Sequence, residues 1–119
     1  MATLLIPTLT TLMEAQAALH ASMATDKVVV LYFTGEFCGP CKRIKPTVLE
    51  LADTYASQLS FYMVDIETTP LVAHFAVKSV PTFVFIRRNI IIHTQTGADA
   101  SLLELTCRLM AKTAFPEIQ

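Results

Sequence analysis

The chain has 119 residues, of which 53% are hydrophobic and 16% charged, and nine basic against ten acidic side chains leave a net charge of −1. This length fits one domain over residues 1–119, and the composition excludes a globally disordered chain. The longest apolar run, Val28 to Phe33, is far below the roughly 20 residues that span a bilayer, and no basic stripe is present, so we expect neither a membrane nor a nucleic acid as partner.

The N-terminal segment and the cysteine count predict a compartment. The first basic residue is Lys27, so the segment before it lacks the basic region of a secretory signal and the Arg-rich face of a transit peptide. We therefore expect a cytoplasmic protein. Three cysteines do not make a disulfide scaffold, and in a reducing compartment two cysteines close together are more often catalytic or metal-binding than structural.

The first third of the chain predicts a strand, a helix and a buried strand. A short strand is expected over Thr3–Ile6. Capped by Thr10 or Thr11, an amphipathic helix follows to about Ser22, with side chains repeating at near-helical spacing: Leu12, Ala15, Gln16, Leu19 and Met23. The stretch Val28–Phe33 is β-branched and aromatic without polar alternation, which is typical of a central strand covered on both faces.

The middle third predicts a second strand–helix–strand unit. Gly35 ends the buried strand, and apolar positions up to Tyr55 indicate a long helix, with Pro46 predicting a kink but no break. Leu59–Asp65 reads as a strand. After it, Thr69 and Pro70 are expected to start a short helix containing Leu71, Val72 and Phe75.

The last third predicts a hairpin and a closing helix. Strands at Thr82–Ile86 and Ile90–Thr94 flank a polar tip containing Arg87 and Arg88, which we expect to solubilise the turn. After Gly97 the apolar side chains of a helix cover much of its circumference. The order is therefore β-α-β-α-β-α-β-β-α, a mixed sheet between two helical layers in a three-layer α/β domain.

Cys38 and Cys41 carry the chemistry that this topology suggests. At the start of a helix, three positions apart, their sulfurs can form a reversible disulfide. The helix dipole, the free N–H groups and nearby Lys42 favour a thiolate on Cys38, the expected nucleophile. Cys41, one turn deeper, would then resolve the mixed disulfide.

The run Phe37-Cys38-Gly39-Pro40-Cys41-Lys42, the helix proline Pro46, the segment Val80-Pro81-Thr82 and the later Gly97 together resemble the thioredoxin family over essentially the whole chain. The resemblance implies a thioredoxin fold and a protein disulfide reductase with a redox-active Cys38–Cys41 disulfide, no bound cofactor and no metal. It implies protein disulfide substrates and electrons from an NADPH-dependent, flavin-containing thioredoxin reductase, although a glutathione or other thiol donor is also possible.

The resemblance also implies a substrate groove. A cis Pro81 would lie against the disulfide, and the backbone of Val80 would pair with an extended substrate segment. Carried over from the family, the groove comprises Phe37, Gly39, Pro40, Val80, Pro81, Gly97 and Ala98. Recognition of backbone more than side chains implies broad specificity.

Two departures from the family pattern bear on mechanism. Most relatives have a buried aspartate six residues before the first cysteine, and this aspartate is paired with a lysine on the next strand. In this chain we assign Tyr32 to the aspartate position and Phe61 to the lysine position. A tyrosine, with an ordinary pKa near 10, is no base at neutral pH, so resolution by Cys41 is expected to be slower or to use water or a substrate group. The family's tryptophans are replaced by Phe37 and Thr34.

Other interpretations of the cysteines stay open. The pair could be inert thiols, half of a zinc site, an oxidase or isomerase centre, or ligands of an iron–sulfur cluster held between two chains. Cys107, on the apolar side of the last helix, is expected to be a small core residue, with a regulatory or dimer-forming thiol as the alternative. His74 and His93 are expected to be surface polar residues away from the cysteines.

Overall fold

The structure is a computed structural model that describes residues 6–67 and 70–114. Its elements follow in the predicted order: β1 (Thr8–Leu9), α1 (Leu12–Thr25), β2 (Val28–Thr34), α2 (Gly39–Thr54), β3 (Leu59–Asp65), α3 (Leu71–His74), β4 (Thr82–Arg87), β5 (Ile90–Thr96) and α4 (Ala100–Ala114).

The five strands form one mixed sheet in the order β1-β3-β2-β4-β5. β3 pairs in parallel with β1 and β2, whereas β4 pairs antiparallel with β2 and β5. β2 lies at the centre, and every side chain from Val28 to Phe33 is buried. This confirms that an apolar run without alternation belongs to a strand covered on both faces.

Two apolar clusters, one on each face of the sheet, confirm the three layers. The side chains of Ile44 and Val48 from α2 and Leu103 and Cys107 from α4 pack on one face. Ala15 from α1 and Leu71 from α3 pack on the other. Full burial of one such aliphatic side chain contributes about 1.5–3 kcal/mol, so the two clusters fix which helices face which side.

The first strand lies later than predicted. Thr3 to Leu5 fall outside the described residues, and Ile6 belongs to no strand, so the predicted strand was wrong where it can be compared. Hydrogen bonding to β3 begins at the proline instead: the Met63 N–H donates to the Pro7 carbonyl oxygen at 2.8 Å, and Thr8 is in register with Met63. The edge of β3 therefore selects which residues pair.

The ends of α1 are set by polar contacts. At its start, Thr11 Oγ1 accepts the Glu14 N–H at 3.0 Å while Glu14 Oε1 accepts the Thr11 N–H at 3.2 Å, a capping box that confirms the threonine cap. The helix continues past Ser22 to Thr25 and ends at Asp26, whose φ of 58° is left-handed.

Asp26 ties this helix end to the hairpin. Its carboxylate lies 2.6 Å from Arg87 Nη2 and 2.8 Å from Arg88 Nε. The expectation that both arginines solubilise the hairpin tip did not include this contact, because only the tertiary fold places an acid within their reach. Arg88 and Asn89 both have positive φ, as a tight hairpin turn requires.

α2 continues through Pro46 to Thr54, as predicted, and the kink at this proline stays a prediction. α3 is shorter than expected and ends before Phe75, while the proposed cap Thr69 lies outside the described part of the chain. Within residues 6–67 and 70–114, no helix is long and apolar enough to cross a membrane.

Candidate active site

The site lies where the central strand β2 passes into α2. Cys38 caps the N-terminus of α2, and Cys38 and Cys41 form a disulfide with their Cα atoms 5.2 Å apart. β2 is held by neighbours on both sides, and α2 is held by its buried face on the sheet. The turn that carries both cysteines is therefore anchored at each end.

The two sulfurs have different surroundings. Cys38 is partly exposed, and its Sγ accepts the backbone N–H of Cys41 at an N···S distance of 3.0 Å. Cys41 is only 1% exposed. An N–H group aimed at sulfur and the positive end of the helix dipole both favour a thiolate at Cys38, which is also the more accessible of the two sulfurs.

Pro81 brings two distant segments to the disulfide. The Val80–Pro81 peptide bond is cis, as the family resemblance implied, and the Val80 carbonyl oxygen lies 3.8 Å from Cys38 Sγ. The Gly97 N–H donates to the Pro81 carbonyl oxygen at 2.9 Å. Gly97 has a φ of 103°, a conformation that glycine adopts without strain, and Ala98 beyond it is exposed.

A groove of about 380 Å³ opens beside Cys38. Its lining comprises Gly35, Phe37, Cys38, Gly39, Pro40, Ile66, Glu67 and Val80. The groove thus brings together four predicted residues, Phe37, Gly39, Pro40 and Val80, whereas Pro81, Gly97 and Ala98 lie outside its lining.

Sequence reasoning missed Ile66 and Glu67 in this groove. Both follow β3, and the Ile66 N–H donates to the Thr34 carbonyl oxygen at 3.0 Å, which holds the turn against the end of β2. The signal that could have found them is topological. The carboxyl ends of neighbouring parallel strands meet at one edge of the sheet, and ligands commonly bind there.

Comparison with known proteins agrees with this geometry. The family model described as Thioredoxin matches residues 10–108. The chain belongs to the thioredoxin family. It is 41% identical over 81 residues to the thioredoxin of Malassezia sympodialis, covering 66% of this chain and 77% of the relative, and 39% identical over 90 residues to thioredoxin-1 of Drosophila melanogaster, covering 75% and 81%.

A solved structure supports the same fold. The Fasciola hepatica thioredoxin superposes with a TM-score of 0.83 at 26% identity, covering 88% of this chain and 99% of that one. With the Cys38–Cys41 pair in place, this member of the thioredoxin family is a thiol–disulfide oxidoreductase that reduces protein disulfides.

Tyr32, on β2, contacts the backbone of Cys41 and occupies the position at which most thioredoxins have an aspartate. It is 1% exposed, its Oη donates to the Cys41 carbonyl oxygen at 3.0 Å, and its ring stacks on Phe83 with centroids 5.1 Å apart. Burial raises the pKa of Tyr32 above its ordinary value of 10, and a hydrogen bond from Thr34 offsets part of this rise. Tyr32 therefore stays protonated at neutral pH and acts as a hydrogen-bond donor.

The residue beside Tyr32 on β3 is Met63. The register pairs Tyr32 with Met63 and Val30 with Phe61, so Met63 lies directly opposite Tyr32 and Phe61 lies two residues away. Side chains two apart on a strand share a face, so Met63 and Phe61 both lie on the face of the sheet that carries Tyr32, and both are uncharged.

A second cavity, of about 330 Å³, lies on the Cys41 side of the disulfide. Its charged lining consists of Glu36, Lys42, Lys45 and Asp65, and Tyr32 and Cys41 also contribute. The lysine after the active-site pair, Lys42, thus lines the same space as Cys41. This cavity gives the otherwise buried Cys41 a polar neighbourhood.

The remaining candidates lie away from the disulfide. Cys107 is buried in the core between the sheet and α4, and burial raises its pKa to about 12, which favours the small-core-residue interpretation. The rings of His74 and His93 contact Phe75 and Phe85 instead. Among residues 6–67 and 70–114, no group of three or more His, Cys, Asp or Glu side chains is placed to hold a metal ion.

Proposed function

We propose that this protein carries two electrons from an NADPH-dependent thioredoxin reductase to protein disulfides in the cytoplasm, with Cys38 as nucleophile and Cys41 as resolving thiol. The observation that carries the assignment of roles is the contrast between the two sulfurs. Cys38 is reachable and its Sγ accepts the Cys41 N–H at 3.0 Å, whereas Cys41 is 1% exposed. Family membership supports the choice of donor.

In the first step, the Cys38 thiolate attacks one sulfur of the substrate disulfide. A Cys38–substrate S–S bond forms, the substrate S–S bond breaks, and the leaving thiolate takes a proton from solvent. The helix N-terminus and the Cys41 N–H stabilise the attacking thiolate.

In the second step, Cys41 loses its proton and attacks Cys38 Sγ. The Cys38–Cys41 disulfide forms and the second substrate thiolate leaves and is protonated, so the substrate gains two electrons and two protons in all. Tyr32 holds the Cys41 backbone through its carbonyl oxygen but, with its raised pKa, takes no proton. Solvent entering the polar cavity beside Cys41 accepts it.

Substrate recognition uses the groove beside Cys38. The Val80 backbone, adjacent to Cys38 Sγ, pairs with an extended substrate segment, and Phe37, which is 85% exposed, offers an apolar contact. Gly39 and Pro40 line the groove at the helix start, and the hydrogen bond from the Gly97 N–H to the Pro81 carbonyl oxygen holds the segment that carries Val80. Backbone pairing accommodates many protein substrates.

The test is reduction of insulin disulfides with dithiothreitol as donor. The parent is expected to react well above the dithiothreitol background, Cys38→Ser to be inactive, and Cys41→Ser to accumulate a mixed disulfide visible by mass spectrometry. Cys107→Ser is the matched control, because this thiol is buried away from the disulfide, and it should retain activity.

Contrary results are clear. A parent no better than background, or a mixed disulfide trapped in Cys38→Ser instead of Cys41→Ser, would refute the mechanism. A coloured, cluster-bearing dimer from anaerobic purification would favour the iron–sulfur alternative, and a potential far above the cytosolic glutathione poise would favour an oxidase or isomerase. Coupled NADPH oxidation with a thioredoxin reductase tests the donor.

A further inference from the structure

The groove beside Cys38 has an uneven distribution of charge. Seven of its eight lining residues are uncharged, and Glu67 is the one charged side chain among them. Lys42 and Lys45 line the other cavity, next to Cys41, while the guanidinium of Arg43 lies beside Gly39, with Nη1 3.6 Å from the position that a Cβ on Gly39 would take. A substrate segment that lies against Ile66 and Glu67 therefore meets a negative charge, whereas the positive charge of Arg43 lies beside Gly39 at the start of α2.

Glu67 is held at the rim and its carboxylate faces solvent. Its backbone N–H donates to Asp65 Oδ1 at 2.8 Å, and the preceding Ile66 is bonded to the end of β2. The residue is exposed. In the part of the chain that the structure describes, the ion pairs join Asp26 to Arg87 and Arg88, so no basic side chain there neutralises Glu67.

We propose that Glu67 makes this protein select disulfide substrates with a lysine or arginine close to the attacked cysteine. The inference rests on the proposed function, in which the substrate cysteine approaches Cys38 with its backbone along Val80. A neighbouring substrate side chain then lies against the lining residues Ile66 and Glu67 or against the exposed ring of Phe37. A basic side chain pairs its charge with Glu67 and lays its methylene stem on Ile66.

The expected size of the preference for a basic substrate side chain follows from the solvent exposure of Glu67. A solvent-exposed ion pair contributes about 0.2–1 kcal/mol, which corresponds to roughly a 1.5- to 5-fold preference in kcat/KM. Salt screens such a pair, because the Debye length falls to about 3 Å at 1 M. An acidic neighbour is disfavoured by a similar factor. The protein therefore still reduces many substrates through backbone pairing, and the charge of Glu67 changes only their relative rates.

The experiment uses three otherwise identical peptide disulfides with Lys, Gln or Glu next to the attacked cysteine. The kcat/KM of each is measured for the parent, Glu67→Gln and Glu67→Lys at low ionic strength and in about 1 M salt. The matched control is Glu50→Gln, which removes the same charge from an exposed position on α2 outside the groove. Far-UV circular dichroism verifies that each variant is folded.

We expect the parent and Glu50→Gln to prefer Lys over Gln over Glu, Glu67→Gln to lose the preference, Glu67→Lys to reverse it, and salt to abolish it. The inference is overturned if the parent reduces the three peptides equally, or if Glu67→Gln keeps the parent's preference. Failure of the parent to reduce even the neutral peptide would instead refute the proposed function, on which the inference rests.

Discussion

The hydroxyl group of Tyr32 donates a hydrogen bond of 3.0 Å to the backbone carbonyl oxygen of Cys41. Cys41 lies in the first turn of α2, so this hydrogen bond attaches the start of the helix to the central strand β2. Most thioredoxins have a carboxylate at this position. The tyrosine replaces a group that can accept a proton by one that holds the backbone of Cys41.

Replacement of Tyr32 by phenylalanine should destabilise the protein by about 1–2 kcal/mol, because it leaves the buried Cys41 carbonyl oxygen without this donor. Urea denaturation of the oxidised protein measures the change. Tyr62→Phe is the control, since Tyr62 is half-buried and packs on the opposite face of the sheet. Equal midpoints for Tyr32→Phe and the parent would show that the hydrogen bond contributes nothing.

Replacement of Tyr32 by aspartate should accelerate resolution of a mixed disulfide at neutral pH, because a carboxylate can take the Cys41 proton whereas a tyrosine with a raised pKa cannot. General-base catalysis contributes about 10²–10⁴-fold where geometry is good, and we expect at least about tenfold here. Reaction of the reduced protein with Ellman's reagent separates the steps, since attack and resolution each release one coloured thiolate.

The same experiment contains its control. The first release, from attack by Cys38, should have similar rates in the parent, Tyr32→Asp and Tyr32→Phe, and the second should be faster only in Tyr32→Asp. In the parent, resolution should rise with pH as Cys41 itself ionises, whereas the aspartate variant should show a weaker dependence. An unchanged second release in Tyr32→Asp would show that proton removal does not limit resolution.

The ion pairs of Asp26 should make the free energy of unfolding depend on pH in the acidic range. Hydrogen bonds from Arg87 and then Arg88 lower the pKa of Asp26 from 3.8 to about 2. Since the folded pKa lies below the unfolded one, the stabilisation is complete above about pH 4 and disappears as the pH falls through 2. Asp26→Asn should therefore have a lower urea midpoint than the parent at pH 7, with the difference closing between about pH 4 and 2.

Asp53→Asn provides the comparison for this carboxylate. Asp53 is exposed on α2, and no ion pair to it is present within the described residues. Its replacement should change the midpoint less than Asp26→Asn does at pH 7. If the difference in urea midpoint between the parent and Asp26→Asn stays constant down to pH 2, the ion pairs are not its cause.

Cys107 should be inert in the folded protein. Burial raises its pKa to about 12, so almost no thiolate exists at pH 8 and the sulfur is covered as well. In the Cys38→Ser/Cys41→Ser double variant, iodoacetamide should label Cys107 rapidly in urea and very slowly without it, as followed by mass spectrometry. Rapid labelling of the native double variant would instead support a regulatory thiol.

Several features were accessible from the sequence because they depend on local physics. Apolar runs and their periods predicted the element order and the parallel and antiparallel pairs, and the spacing of Cys38 and Cys41 at a helix start predicted the redox pair. A threonine cap, Thr10 or Thr11, was predicted because a hydroxyl at a helix start meets free N–H groups whatever the rest of the chain does, and the structure shows that Thr11 is the cap.

Other features depended on residues far apart in the chain, which only the tertiary structure places together. Met63 and Phe61 lie on the same face of β3, and only the register of the strand shows that Met63 is the one directly opposite Tyr32. The meeting of two strand ends brought Glu67 to the groove. The ion pair of Asp26 with Arg87 joins residues 61 positions apart, and such a contact has no periodic signal because its distance is set by packing and not by chain spacing.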